Sequence, residues 1–276
     1  MLKNFLIISL SIFLLFSCSK KNKEEIVTQA DNEQLAESIY EDAVEALIRG
    51  DAFYAGQKFR EVEVLVPQTK WAEKASLMAN YSDYSRNAYS NAVFGLERHI
   101  KTYPADKNIT YAHYLIAICY YEQILNEKKD LKPLLMAKKK FEFIIKTFPD
   151  TDYATDARFK IDLIIDQLAA KEMSIARFYM KTEKWIPALN RLKVVVDKYD
   201  KTVFIEEALH RLVEVYYRLG LTEEAKQAAS ILGYNYKSGD WYKKSYKVFN
   251  KKYKPRKIIK EKEMGLIRRK IKSLFE

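Results

Sequence analysis

Two thiols and three imidazoles are the side chains of widest chemical range in this 276-residue chain. Clustered, such groups could bind a transition metal or activate a nucleophile. Here they are scattered, as Cys18, Cys119, His99, His113 and His210, and no HExxH, GxSxG or glycine-rich phosphate loop accompanies them. Carboxylates are plentiful, but neighbours such as Glu206 and Glu207 do not face one site from a helix. The expectation is a chain without catalytic or metal-binding residues and without a cofactor. Cys119, inside "AICYYEQ", reads as a small buried helix residue.

Cys18 has another chemistry open to it. Lys3 precedes an apolar run from Leu6 to Phe16, interrupted only by Ser9 and Ser11. A charged start and an apolar stretch shorter than the roughly 20 residues of a membrane-spanning helix read as an export signal. The run closes on "LFSC", with Leu15 at minus three, small Ser17 at minus one and Cys18 at the cut. That pattern resembles a bacterial lipobox, apart from Phe16 where a small residue is usual. It makes residues 1–17 a removed signal and Cys18 the carrier of covalent acyl chains, each buried methylene contributing about 0.8 kcal/mol to a lipid anchor. Residues 18–32 are polar and read as a tether.

The formal charge of +11 is uneven: residues 237–276 hold fifteen Lys or Arg against four Asp or Glu. The body is near neutral and the tail basic. Export argues against nucleic acid as its partner. Anionic headgroups, an acidic protein face or plain solvent remain open for it.

What positions the remaining residues is a repeat. Glycine and proline number only 7 and 6, and apolar residues recur at three-to-four spacing almost throughout, which predicts an all-α chain. Four segments align: "AGQKFREVEVLVP" from Ala55, "AVFGLERHIKTYP" from Ala92, "AKKKFEFIIKTFP" from Ala137 and "ALNRLKVVVDKYD" from Ala188, with a weaker fifth from Ala225. Each has alanine, Phe or Leu four residues on, and proline (once Asp200) twelve residues on. The alanine admits a neighbouring helix, the larger residue fills the layer between, and proline ends the helix. This is the second half of the tetratricopeptide pattern, and "LVEVYYRLGLTEEA" carries the first. Such pairs are expected to stack into a right-handed superhelix of about five, with repeats 1–3 over 33–150, repeats 4–5 over 151–242 and a basic tail at 243–276. Residues 153 to about 182 read as one long helix.

Counting back from the anchor alanines sets Tyr40, Lys74, Tyr81 and Tyr84, then Tyr111, Tyr114 and Tyr121, on the face that lines a tetratricopeptide groove. Tyrosines there could grip an extended peptide by ring and hydroxyl, and Lys74 could meet a carboxylate. Tyr120, Tyr179 and Tyr216 fall on the packing stripe. Asp83 occupies a packing position where an aromatic is usual, which blurs the register of repeat 2.

Signal, lipobox and five repeats together resemble the BamD family of outer-membrane β-barrel assembly lipoproteins, most specifically in "GDAFYAGQKF", "NAYSNAVFGLERHIKTYP", "LAAKEMSIARFYMKTEKWIPALNRLKVVVDKY" and "LGYNYKSGDWY". The resemblance implies a non-enzymatic adaptor, anchored through Cys18 in outer-membrane lipid on the periplasmic side. It implies binding of a POTRA domain of BamA through the C-terminal repeats, with Arg191 and its neighbour Asn190 at the contact. It implies capture of unfolded outer-membrane β-barrel proteins by the N-terminal tyrosine groove. A periplasmic glycan- or peptidoglycan-associated lipoprotein on the same scaffold is the alternative.

Overall fold

The computed structural model describes residues 29–123, 131–236 and 239–250. The expectations for the signal, for Cys18 and for the tail beyond residue 250 lie outside them. All regular structure among the described residues is helical. The helices are α1 (Gln29–Ile48), α2 (Ala52–Leu65), α3 (Lys70–Ser85), α4 (Tyr89–Thr102), α5 (Ile109–Glu122), α6 (Lys132–Thr147), α7 (Asp152–Lys181), α8 (Trp185–Lys198), α9 (Ile205–Arg218), α10 (Thr222–Asn235) and α11 (Asp240–Phe249). The first ten make five consecutive pairs, and α7 is the long helix expected. α1 begins inside the segment read as a tether.

The repeat works as its residue sizes require. Ala55, Ala92, Ala137, Ala188 and Ala225 are each fully buried, as are Phe59, Leu96, Phe141 and Leu192 four residues on. Val66, Tyr103 and Phe148 cap α2, α4 and α6 directly before a proline, with φ of −129°, −124° and −130°. The proline ring drives its predecessor out of the helical region. Tyr199 and Tyr236 leave α8 and α10 with nearly the same φ, −131° and −134°, although Asp200 and Lys237 replace the proline. Three of the exits share a threonine: Thr69, Thr151 and Thr202 turn their hydroxyls to the carbonyls of Val66, Phe148 and Tyr199 at 2.7–2.8 Å. After Tyr103, Asp106 bonds the buried His99 ring at 3.0 Å instead. Burial pushes the His99 pKa down, against the pull of Asp106, and favours the neutral imidazole.

A second repeat is conformational. Gly50, Asn87, Glu183 and Gly220 all have positive φ, between 57° and 90°. Each lies five residues before an anchor alanine. In each, the next amide reaches back to the carbonyl of Ala46, Asp83, Tyr179 or Tyr216 at 2.9 Å, the backbone closure of a Schellman cap. Glycine takes this conformation freely, whereas Glu183 pays the Cβ clash. Glu183→Gly should therefore stabilise the α7–α8 pair by about 0.5–1 kcal/mol. A urea midpoint that is unchanged or lowered would show no strain at this turn.

The described residues divide into two compact units, with the boundary after Asp106. In the first, α1 to α4 pack in sequence order and α1 also touches α3. In the second, α5 to α10 do so and α11 packs on α9 and α10. Residue 150, where repeats 3 and 4 were expected to meet, lies between α6 and α7, which pack on each other within the second unit. The tail expected from residue 243 begins inside α11. That helix continues because Trp241, Ser245, Val248 and Phe249 turn one edge to α9 and its surrounding core.

Asp83 resolves its own anomaly. Its carboxylate, 2% exposed, is gripped by Arg60 from α2 and by Arg86 one turn on, at 3.1 Å from Nε and 2.8 Å from Nη2. A charge stands in for the aromatic and the register of repeat 2 holds.

Candidate functional site

In the first unit the tyrosines fall into two groups along α3. At its N-terminal end Trp71 gathers Tyr40, whose ring lies 5.3 Å away, and Lys74, whose ammonium lies 4.9 Å over the indole. Tyr40 also meets the buried Phe59 edge-on at 5.1 Å, and burial pushes its phenol pKa up. Tyr40 thus spends much of its ring on the core. At the other end Tyr81 and Tyr84 stand 6.0 Å apart, and Tyr89 from the start of α4 extends the row by another 6.0 Å. All three rings are partly exposed. Spacing along one helix gave Tyr81 and Tyr84. Tyr89 joins them across the αL turn at Asn87, and no single-helix period reports that.

In the second unit Tyr111 and Tyr114 both face Tyr153 from the first turn of α7, at 5.9 and 5.1 Å. The Tyr114 hydroxyl donates to Asp156 at 2.6 Å, and its ring meets Phe141 at 6.2 Å. Tyr121 lies edge-on to Phe141, with Lys160 Nζ 4.7 Å over its ring. α5 and α7 therefore share an aromatic wall, floored by Phe141 and edged by Asp156 and Lys160. Tyr153, Asp156 and Lys160 were not singled out in the sequence, because they are brought in by a helix one pair further on. Tyr179 and Tyr216 pack on the core of the second unit, as expected.

Arg191 lies on α8 beside the exposed Asn190. Its Nη1 contacts Glu172 of α7 at 3.1 Å, while its side chain stays 43% exposed. With Tyr179, Ile186, Pro187 and Val194 these residues line a shallow cavity of about 270 Å³. Ile186 is 56% exposed, so an apolar contact sits beside a guanidinium that Glu172 orients from one side.

Burial pushes the Cys119 thiol up to about 12, which leaves it protonated and inert. His113 stacks on Phe143 and Phe148, and His210 bonds Ser245. No group of three His, Cys, Asp or Glu is arranged to hold a metal ion among the described residues, and no described helix is long and apolar enough to cross a membrane.

Comparison with known proteins places this geometry in a family. A family model described as "YfiO: Outer membrane lipoprotein" matches residues 32–231. The chain is 39% identical over 233 residues to the outer membrane protein assembly factor BamD of Caulobacter vibrioides, covering 84% of this chain and 76% of that one. It is 38% identical over 230 residues to the protein of the same name from Rickettsia prowazekii, covering 83% and 89%. The Neisseria meningitidis protein of that name is 27% identical over 246 residues.

Proposed function

The chain belongs to the YfiO family of outer membrane lipoproteins, and from that premise we infer that it is an assembly factor for outer-membrane β-barrel proteins. The observation that carries the reading is the match to assembly factors over more than four-fifths of the chain. In this reading Cys18 carries the acyl anchor on the periplasmic face of the outer membrane. The protein is an adaptor, not an enzyme: it holds two polypeptides near each other and changes no covalent bond.

Arg191, Asn190 and the exposed Ile186 form the contact with a POTRA domain of BamA. A half-exposed arginine beside an apolar side chain is the composition of an interface anchor, since the guanidinium can grip a carboxylate bidentately while the apolar neighbour excludes water. The partly exposed tyrosines around Tyr84 in the first unit, and separately those around Tyr114 in the second, each take an extended segment of an unfolded client.

Recovery of the POTRA-bearing barrel protein from solubilised envelopes tests this. Wild type should bring it down, and Arg191→Glu should cut recovery about tenfold or more, the effect of placing a like charge against an interfacial carboxylate. A photo-crosslinking side chain at Tyr84 should capture barrel proteins in the same cells. If wild type never recovers a POTRA protein, the reading fails.

A further inference from the structure

We propose that α11 completes a docking cleft for an acidic peptide segment that carries an apolar side chain. α11 lies beyond the residues the family model matches, so the argument rests on the cleft itself and not on the assembly reading.

The helix is fixed from both ends. Ser245, fully buried, bonds the His210 ring at 2.9 Å, and Trp241 lies 5.2 Å from the same ring. Phe249 meets Tyr217 edge-on at 5.8 Å. Seated so, α11 closes a cavity of about 880 Å³ with α7, the start of α8 and α9. That volume is within the range of pockets that bury whole ligands. Met180, Trp185, Tyr217 and Val248 give it an apolar floor, and its lining holds five cations against one carboxylate.

Two of those cations are already engaged. Arg177 grips Glu207 through Nε at 3.0 Å and Nη2 at 2.6 Å, and Arg211 bonds Glu214 at 2.8 Å. Burial pushes both carboxyl groups up, but the hydrogen bonds they accept outweigh it, and Glu214 is held at about 2. Both acids are therefore ionised at neutral pH and balance their arginines. Lys181, Arg218 and Lys247 have no carboxylate partner among the described residues, and Arg218 only overlies Trp185 at 5.8 Å. Three uncompensated cations, from three different helices, thus ring an apolar floor.

The complement is a side chain that fills the floor, flanked by Asp or Glu. A planar headgroup surface cannot reach down into a concave cleft of this kind. The chain's own residues 251–276 hold eleven Lys or Arg against three Glu, a net charge of the wrong sign to complement it.

Titrating the detergent-solubilised full chain into a fluorescein-labelled Glu-Glu-Phe-Glu-Asp-Leu peptide, read by anisotropy, tests the proposal. Binding should saturate, weaken with salt, and fall about tenfold or more in Lys181→Glu/Lys247→Glu. Both lysines are exposed, so the variant should melt as wild type does. A Lys-Lys-Phe-Lys-Lys-Leu probe should not bind. Arg191→Glu, outside the cleft, should leave peptide affinity unchanged, which separates this result from the fate of the assembly reading. Absence of saturable binding, equal affinity in the double variant, or cleft-dependent binding of phosphatidylglycerol vesicles alone would each overturn it.

Discussion

Phe141→Ala should cost the second unit about 3–5 kcal/mol, a large part of the 5–15 kcal/mol that typically holds a domain together. Phe141 is fully exposed to the core and to nothing else: its solvent exposure is zero, and the rings of Tyr114 and Tyr121 both rest on it at 6.2 Å. Truncation removes the buried ring and leaves a cavity between α5 and α6 that the neighbouring helices cannot close without moving Ala137. The two ring contacts add to the loss, at about 0.5–1.5 kcal/mol for such a pair. The control is Phe159→Ala on α7, in the same unit but 65% exposed, which should stay within about 0.5 kcal/mol of wild type. Urea unfolding gives the global loss, and amide exchange over α5, α6 and α7 locates it. Equal midpoints for the two variants would show that the residue four after the anchor alanine is not what fills the layer between paired helices.

That layer was legible in the sequence for a physical reason. A crossing point admits little beyond alanine and a core layer little beyond a large apolar side chain, so both leave a residue-type signature at Ala55 and Phe59, Ala92 and Leu96, and Ala137 and Phe141. The turn inside four of the pairs left no such signature. It is a backbone conformation, and Asn87 and Glu183 adopt it as well as Gly50 and Gly220 do. The candidate site was legible in the same measure. Tyr81 with Tyr84, and Tyr111 with Tyr114, share a helix, and helical period assigns them. Trp71's grouping of Tyr40 with Lys74, and the arrival of Tyr153 opposite Tyr114, depend on how helices pair and stack. α11 was hidden by its charge: four of its ten residues, Asp240, Lys243, Lys244 and Lys247, are ionic, and only the edge it presents to α9 marks it as part of the fold.

Removing both arginines from Asp83 should destabilise the first unit by about 3–5 kcal/mol, and by more than the two single changes together. The carboxylate is 2% exposed, while the side chains of Arg60 and Arg86 are 44% and 35% exposed. The desolvation cost of the cluster therefore falls on the acid, and the arginines supply the compensation. With one guanidinium left, Asp83 keeps a charged partner, and Arg60→Met or Arg86→Met alone should cost about 1–2 kcal/mol, near the worth of a hydrogen bond to a charged group. With neither, the charge is buried without compensation. Asp83→Leu alone should cost little by comparison, because both arginines can turn to water. Introduced into the Arg60→Met/Arg86→Met background, Asp83→Leu should restore most of the lost stability, since an apolar side chain suits the packing position that Asp83 holds. Denaturant midpoints for this set form a closed cycle. If the arginine losses simply add, and Asp83→Leu rescues nothing, then water already reaches the carboxylate and the acid does not take an aromatic's place in the stack.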